Sequence, residues 1–281
     1  MDIKLSEKVL TDAKKQKHQK KEKQKQDFRE TYDKTKEFSF PEKDGVNMEK
    51  HFYFPKIFDE NGFGERMTKA AITIYPVMCA RANFEHNDWF QLSQDSIAKM
   101  AGISVPTAQE GLQCLLEDSY TLTTTDKEGN VSSVPLLESK LTTEGKRHFY
   151  LYRAGFIRRD MINLWRGGYF VFFTSIIDGG VWAELSPRAK TLYLAMRCAA
   201  KQDFELYCSV EEAVPFCDQT GQDEFFKYRK WDVCITPLAE LARRVNCSSN
   251  MIQRPMEQLL YYRLAERVDR WFKVYLKPRI R

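Results

Sequence analysis

Catalysis by side chains needs reactive groups that converge, and the histidines, cysteines and carboxylates of this chain are spread too widely to do so by spacing alone. No two of the four histidines (His18, His51, His86, His148) lie closer than 33 residues, and the seven cysteines include no C-x-x-C pair. No His/Cys set therefore has the spacing of a zinc site. The thiols at Cys79, Cys114, Cys198, Cys208, Cys217, Cys234 and Cys247 sit mostly among apolar neighbours, which predicts reduced, packed cysteines. The nearest carboxylate pairs, Glu211-Glu212 and Asp223-Glu224, read as solvated acidic faces of an insertion. There is no G-x-x-x-x-G-K-[ST] loop and no nucleophile elbow, and Gly62-Phe63-Gly64 is too short for a dinucleotide fingerprint. These residues predict a protein that is not an enzyme and that holds no metal and no cofactor.

The chemistry the chain does offer is hydrogen bonding to nucleic acid. Between Ser248 and Glu257 the side chains outside the apolar pattern are Ser248, Ser249, Asn250, Gln253, Arg254 and Glu257. Amides and a guanidinium match the donor and acceptor edges of bases in a major groove, so Ser249, Asn250, Gln253 and Arg254 are the candidate base readers. Ser248, Arg263, Arg267, Arg270, Lys273 and Lys277 are the candidate phosphate contacts, with Arg279 and Arg281 beyond them. Arg243 and Arg244 read as solvated. Charge supports this placement: Arg229–Arg281 carries 12 basic and 5 acidic residues, whereas residues 37–228 sum to −7.

A base-reading stripe must stand on a helix held by another helix, and the sequence supplies that arrangement twice. Ser93–Glu117 reads SQDSIAKMAGISVPTAQEGLQCLLE: Ser93 caps a helix whose apolar face is Ile97, Met100 and Ala101, Gly102 turns left-handed, and Ser104 caps a second helix. The pattern returns without a gap in Thr236–Leu260, TPLAELARRVNCSSNMIQRPMEQLL. Ile97 matches Leu241, Ala101 matches Val245, Ile103 matches Cys247, and Leu112, Leu115 and Leu116 match Met256, Leu259 and Leu260. Gly102 matches Asn246, the commonest substitute for glycine in a left-handed turn. The spacing predicts a second-copy helix over Ser248–Leu260.

Each copy is preceded by an apolar helical stretch (Lys69–Asn83, interrupted by Pro76; and the run opened by Ser186-Pro187-Arg188) and followed by strand-like sequence. Over residues 66–156 and 182–278 the chain resembles the winged helix-turn-helix superfamily, and its arrangement resembles tandem winged-helix replication initiators of plasmids and mobile elements. The resemblance implies a mainly α fold with small β-hairpin wings, two winged helix-turn-helix domains in tandem: a basic tail over 1–45, then 46–160 and 161–281, with an insertion at about 203–228. Residues 13–26 hold seven lysines and one glutamate. This composition suits either a nonspecific phosphate-binding arm or a solubilising extension.

The first copy is the poorer reader. Its equivalent positions include Thr107, Gln109, Glu110 and Gln113, with no cation, which suits weak DNA contact or a docking or homodimerisation surface. The expected partner is double-stranded DNA, bound sequence-specifically by a replication initiator or a transcription regulator. The rival reading is a protein-protein interaction scaffold. No apolar run reaches the roughly 20 residues that cross a bilayer, and the N-terminus has no secretory apolar core, which predicts a cytoplasmic protein without a membrane partner.

Overall fold

The computed structural model describes residues 50–278 except 59–63, 83–88, 118–119, 126–128, 130, 146, 156–167, 211–228 and 249. All of them belong to one compact unit, Gly45–Arg281; the other unit, Met1–Asp44, with the lysine-rich segment, lies outside the described residues. In order the elements are β1 (His51–Pro55), α1 (Lys69–Arg81), β2 (Phe90–Gln91), α2 (Gln94–Ala101), α3 (Val105–Leu115), β3 (Thr121–Thr125), β4 (Val131–Pro135), β5 (Leu137–Glu144), β6 (Arg147–Ala154) and β7 (Tyr169–Phe173). Then follow α4 (Ser175–Asp178), α5 (Val181–Glu184), α6 (Pro187–Ala199), α7 (Phe204–Cys208), β8 (Trp231–Cys234), α8 (Leu238–Arg244), α9 (Gln253–Tyr261), β9 (Ala265–Val268) and β10 (Trp271–Tyr275).

The fold is mixed α+β, not mainly α. Helix accounts for 42% and strand for 27%, and the strands form several small sheets. The expectation of two winged helix-turn-helix domains in tandem fails with it. Behind α3 stands a set of strands larger than a wing: a β3–β4 ribbon and a β2–β6–β5 sheet. A further antiparallel pair joins β1 to β7, with Phe52 opposite Phe172 and Phe54 opposite Phe170. His51–Pro55 has no local strand signature, because its partner strand lies more than a hundred residues away.

The core is built on α1 and α6. Both are buried around almost their whole circumference, from Ala70 to Ala80 and from Ala189 to Cys198, the pattern of helices enclosed on every side. Each starts on a side-chain cap: Thr68 accepts from the Ala71 amide (3.1 Å) and Ser186 from the Ala189 amide (3.3 Å). Pro76 lies within α1 and removes the donor that would reach the Ile72 carbonyl. One turn away, the Trp182 indole donates to the Thr73 carbonyl at 2.9 Å. Gly111 lets α3 approach α1 closely, since a Cβ there would stand 2.8 Å from the Ala70 carbonyl carbon. A short buried network closes the other side of α6: Asp232 binds Arg197 at 3.1 Å and Arg229 at 2.6 Å, and Arg197 also donates to the Val171 carbonyl at 3.0 Å.

Lys190 joins the end of α2 to α6. Its side chain is wholly buried, and Nζ donates to the Ala101 carbonyl at 2.7 Å and the Leu185 carbonyl at 2.5 Å. Burial pushes its amine down to about 7, against the attraction of Glu184. Unfolded, the amine keeps its proton up to its ordinary range near 10.5. Between these limits the unfolded chain binds more protons, so this group's contribution to stability rises with pH above about 7 and is flat below it. Urea midpoints measured from pH 6 to pH 9.5 are expected to climb less in Lys190→Met than in the wild type; parallel curves would remove the assignment.

The cysteines need one correction. Cys79, Cys114, Cys198, Cys234 and Cys247 are free thiols, but Cys208 is disulfide-bonded, not reduced. Sequence spacing gave no sign of this, because no C-x-x-C or other paired motif lies around Cys208.

Candidate nucleic-acid interface

The two helix-turn-helix turns have the same backbone. In the first, the Gly102 amide donates to Lys99 O (3.2 Å) and the Ile103 amide to Ala98 O (3.0 Å); in the second, Asn246 donates to Arg243 O (3.0 Å) and Cys247 to Ala242 O (2.9 Å). Gly102 has φ +63° and Asn246 φ +48°, both left-handed. The local geometry that the matched sequences predict is therefore present in both copies, on helices α2–α3 and α8–α9.

The start of α9 differs from expectation. The helix begins at Gln253, not Ser248, and ahead of it the Met251 amide donates to the Ser248 carbonyl at 2.9 Å. Pro255 explains the shift. A helix starting at Ser248 would hold this proline in its interior, where a missing donor and a ring clash cost about 3 kcal/mol. In the observed helix Pro255 lies in the first turn, where no donor is needed. In the first copy Pro106 is already a first-turn residue, so α3 starts at Val105 with Ser104 as its cap.

On α9 the apolar face is Ile252, Pro255, Met256 and Leu259, all buried. Gln258 is tied to the start of α6, its Oε1 accepting from Ser186 N (3.1 Å) and Oγ (2.7 Å). The opposite side is uncovered: Gln253, Arg254 and Glu257 are exposed at helical spacing, with Ser248 and Asn250 exposed ahead of the helix. Ser249 lies outside the described residues.

The hairpin behind α9 divides the expected phosphate contacts. Arg267 and Arg270 are exposed and Arg263 is half-exposed at φ +52°. Lys273 drops out: it is 1% exposed, ion-paired with Glu266 at 3.1 Å and packed 4.8 Å from the Trp231 ring. Strand alternation puts it on the covered sheet face shared with Trp231 and Tyr275. Lys277 lies over the Phe173 ring at 4.6 Å, and burial lowers its amine from the ordinary lysine range. Arg279 and Arg281 lie outside the described residues.

The first copy has a different character. Gln109 donates to the Gln94 side chain at 2.7 Å, Thr107 shares its hydroxyl with Ser104 at 2.8 Å, and Gln113 is exposed beside Glu110 and Glu117. A Cβ added at Gly102 would meet the backbone of Ala183 in α5, so this turn approaches α5 closely.

No family model, curated protein or solved structure matches this chain.

Ion pairing separates the arginines further. Arg81 binds Asp178 (2.7 Å), Arg153 binds Glu138 (2.5 Å), and Arg243 and Arg244 share Glu240 at 2.8 and 3.2 Å. Hydrogen bonds from Arg243 and then Arg244 hold the Glu240 carboxyl down at about 2, so both arginines on α8 are engaged within their own helix. Arg254, Arg263, Arg267 and Arg270 have no carboxylate partner among the described residues.

Lys69, at the start of α1, and Arg188, near the start of α6, pack beside a small apolar crevice together with Val245, Cys247, Ile252 and Pro255 of the α8–α9 turn. Neither was detectable locally, since their position depends on how α1 and α6 dock against α8 and α9. Among the described residues there is no group of three or more His, Cys, Asp or Glu able to hold a metal, and no helix is long and apolar enough to cross a membrane.

Proposed function

We propose that the α8–α9 pair and the β9–β10 hairpin bind double-stranded DNA sequence-specifically, as part of a replication initiator or a transcription regulator. One observation carries the reading: Gln253, Arg254 and Glu257 are uncovered, with Asn250 exposed just ahead of them, while the apolar side of α9 is packed into the protein. A helix of this kind fits a major groove, and amide and guanidinium side chains can each make paired hydrogen bonds to a base. Arg263, Arg267 and Arg270 then meet the flanking phosphates, where neutralising charge favours any duplex alike. A footprint over repeated sites at an origin supports initiation, and one over a promoter supports regulation.

Arg254→Ala is expected to weaken binding to a selected duplex by roughly 10- to 100-fold, in line with about 1–3 kcal/mol for a paired base contact. Binding to random duplex should fall much less. Anisotropy titrations of both duplexes measure this, and equal losses on the two would exclude base reading by Arg254.

A specific observation also favours the scaffold reading. Met251 and Leu260 are 44% and 40% exposed at the two ends of α9, an apolar pair suited to a protein surface. A scaffold predicts weak DNA binding that disappears when residues 1–36 are deleted.

A further inference from the structure

The ribbon of β1 and β7 is aromatic on both faces. Alternation along the strands turns Phe52, Phe54, Phe170 and Phe172 into the core, where each is at most 5% exposed, and turns His51, Tyr53, Tyr169, Val171 and Phe173 to the other side. An antiparallel pair with one buried face ordinarily carries polar side chains on its second face. Here the second face holds rings in mutual contact: Tyr53 meets Tyr169 edge-on at 5.1 Å and His51 at 5.8 Å, and His51 meets Phe173 at 5.8 Å. Tyr53, Tyr169, Val171 and Phe173 are half-buried and His51 is exposed, so the rings keep surface toward solvent. The charges that frame them are positive. Lys277 stands 4.6 Å over the Phe173 ring. Exposed Lys50 lies at one end of the ribbon, its carbonyl accepting from the Thr174 amide at 3.0 Å, and half-exposed Lys56 at the other, its amide donating to the Gly168 carbonyl at 3.1 Å. The two lysines are about 20 Å apart along the strand, at roughly 3.4 Å per residue. Residues 50–58 and 168–177 contain no Asp or Glu. Burial lowers the Lys277 amine, a cost that an anion set against it would offset.

We propose that this face of the β1–β7 ribbon binds single-stranded nucleic acid, with unpaired bases stacked on Tyr53, Tyr169 and Phe173 and phosphates held by Lys277, Lys50 and Lys56. Sheet faces with accessible aromatic side chains take unpaired bases by stacking, while neighbouring cations track the backbone. A duplex fits poorly, because its bases are already stacked on one another and a flat sheet face sends nothing into a groove. A second copy of the chain fits poorly too, since face-to-face packing would set the same lysines against each other. Every base has a flat face, so the platform has little sequence preference. The proposal does not depend on the reading of α9.

The test uses the full chain and two fluorescein-labelled strands of about 20 nucleotides, long enough for a single-strand site. One is oligothymidylate, and the other is an abasic strand of the same length that keeps the phosphates and lacks the bases. The variants are Tyr53→Leu/Tyr169→Leu, which keeps apolar bulk and removes the rings, Lys277→Ala, and Tyr150→Leu as an exposed ring removed from β6. Thermal melts show whether each is folded. The wild type should prefer oligothymidylate to the abasic strand, and the double leucine variant should bind oligothymidylate about tenfold or more weakly, with its affinity for the abasic strand unchanged. Lys277→Ala should lower the slope of log K against log salt by about 0.7 on both strands. Tyr150→Leu and Arg254→Ala should both bind oligothymidylate as the wild type does. Equal wild-type affinity for the two strands, or a double leucine variant no weaker than Tyr150→Leu, overturns the platform and leaves the reading of α9 untouched. A wild-type dimer that the double leucine variant loses while its affinity for oligothymidylate stays the same assigns the face to a second copy and also overturns the proposal.

Discussion

Replacing Gly102 by alanine is expected to destabilise the protein by about 2–5 kcal/mol, combining the left-handed backbone cost with overpacking. Gly102 has φ +63°, and a Cβ built there would stand 1.8 Å from the Ala183 carbonyl oxygen. Neither side can yield easily. Ala183 belongs to α5, whose neighbour Trp182 is fully buried and bonded to Thr73, while the preceding Ala101 carbonyl is held by Lys190. Gly145 is the matched control, with nearly the same φ (+62°) and nothing within 4 Å of its Cβ position. Gly145→Ala should therefore show only the backbone cost, about 1–2 kcal/mol. Urea unfolding of the two variants decides the point, and a Gly102→Ala loss no larger than that of Gly145→Ala would deny the docking of the first turn on α5.

Asp232→Ala should cost about 3–5 kcal/mol, because it takes the neutralising carboxylate away from the buried Arg197 guanidinium. Arg197 and Arg229 both converge on this one carboxylate, with side chains only 1% and 7% exposed. The remaining contacts of Arg197, the Val171 carbonyl at 3.0 Å and the Phe170 ring at 5.0 Å, do not neutralise its charge. Asp178→Ala is the contrast: its pair with Arg81 is 36% and 43% exposed, and such pairs contribute about 0–1 kcal/mol. Chemical denaturation of both variants should separate them clearly. Equal losses would mean that the Asp232 network is solvated or replaceable.

What could be read from residues alone was local. The two turns were legible because Gly102 and Asn246 are the residue types that tolerate a left-handed backbone, and Ile103 and Cys247 follow them in register. The caps at Ser93 and Ser104 were legible because a serine hydroxyl just ahead of an apolar periodic run can accept from the first free amides, and so was the apolar periodicity that buries Met256 and Leu259. Long-range pairing was not. HFYFP over His51–Pro55 and YFVFF over Tyr169–Phe173 become strands only by pairing with each other, so the strand content and the joint core were missed. Lys273 shows the limit at one side chain. Its basic type suggested a phosphate contact, but only the sheet reveals that its face is covered by Trp231 and paired to Glu266. Lys69 and Arg188 show the converse, residues whose place beside the α8–α9 turn exists only after the helices dock. The start of α9 was readable in principle, since Pro255 forbids a helix running unbroken from Ser248.

Selection of bound sequences from a random duplex pool, with the wild-type chain and a folded Gln253→Ala/Arg254→Ala variant side by side, tests the duplex-reading surface most directly. The wild type is expected to enrich one defined site, and the variant to lose the base preference at its central positions while still retaining duplex through phosphate contacts. Enrichment of nothing by the wild type, or of the same site by both proteins, would contradict the assignment of α9 as the element that reads DNA.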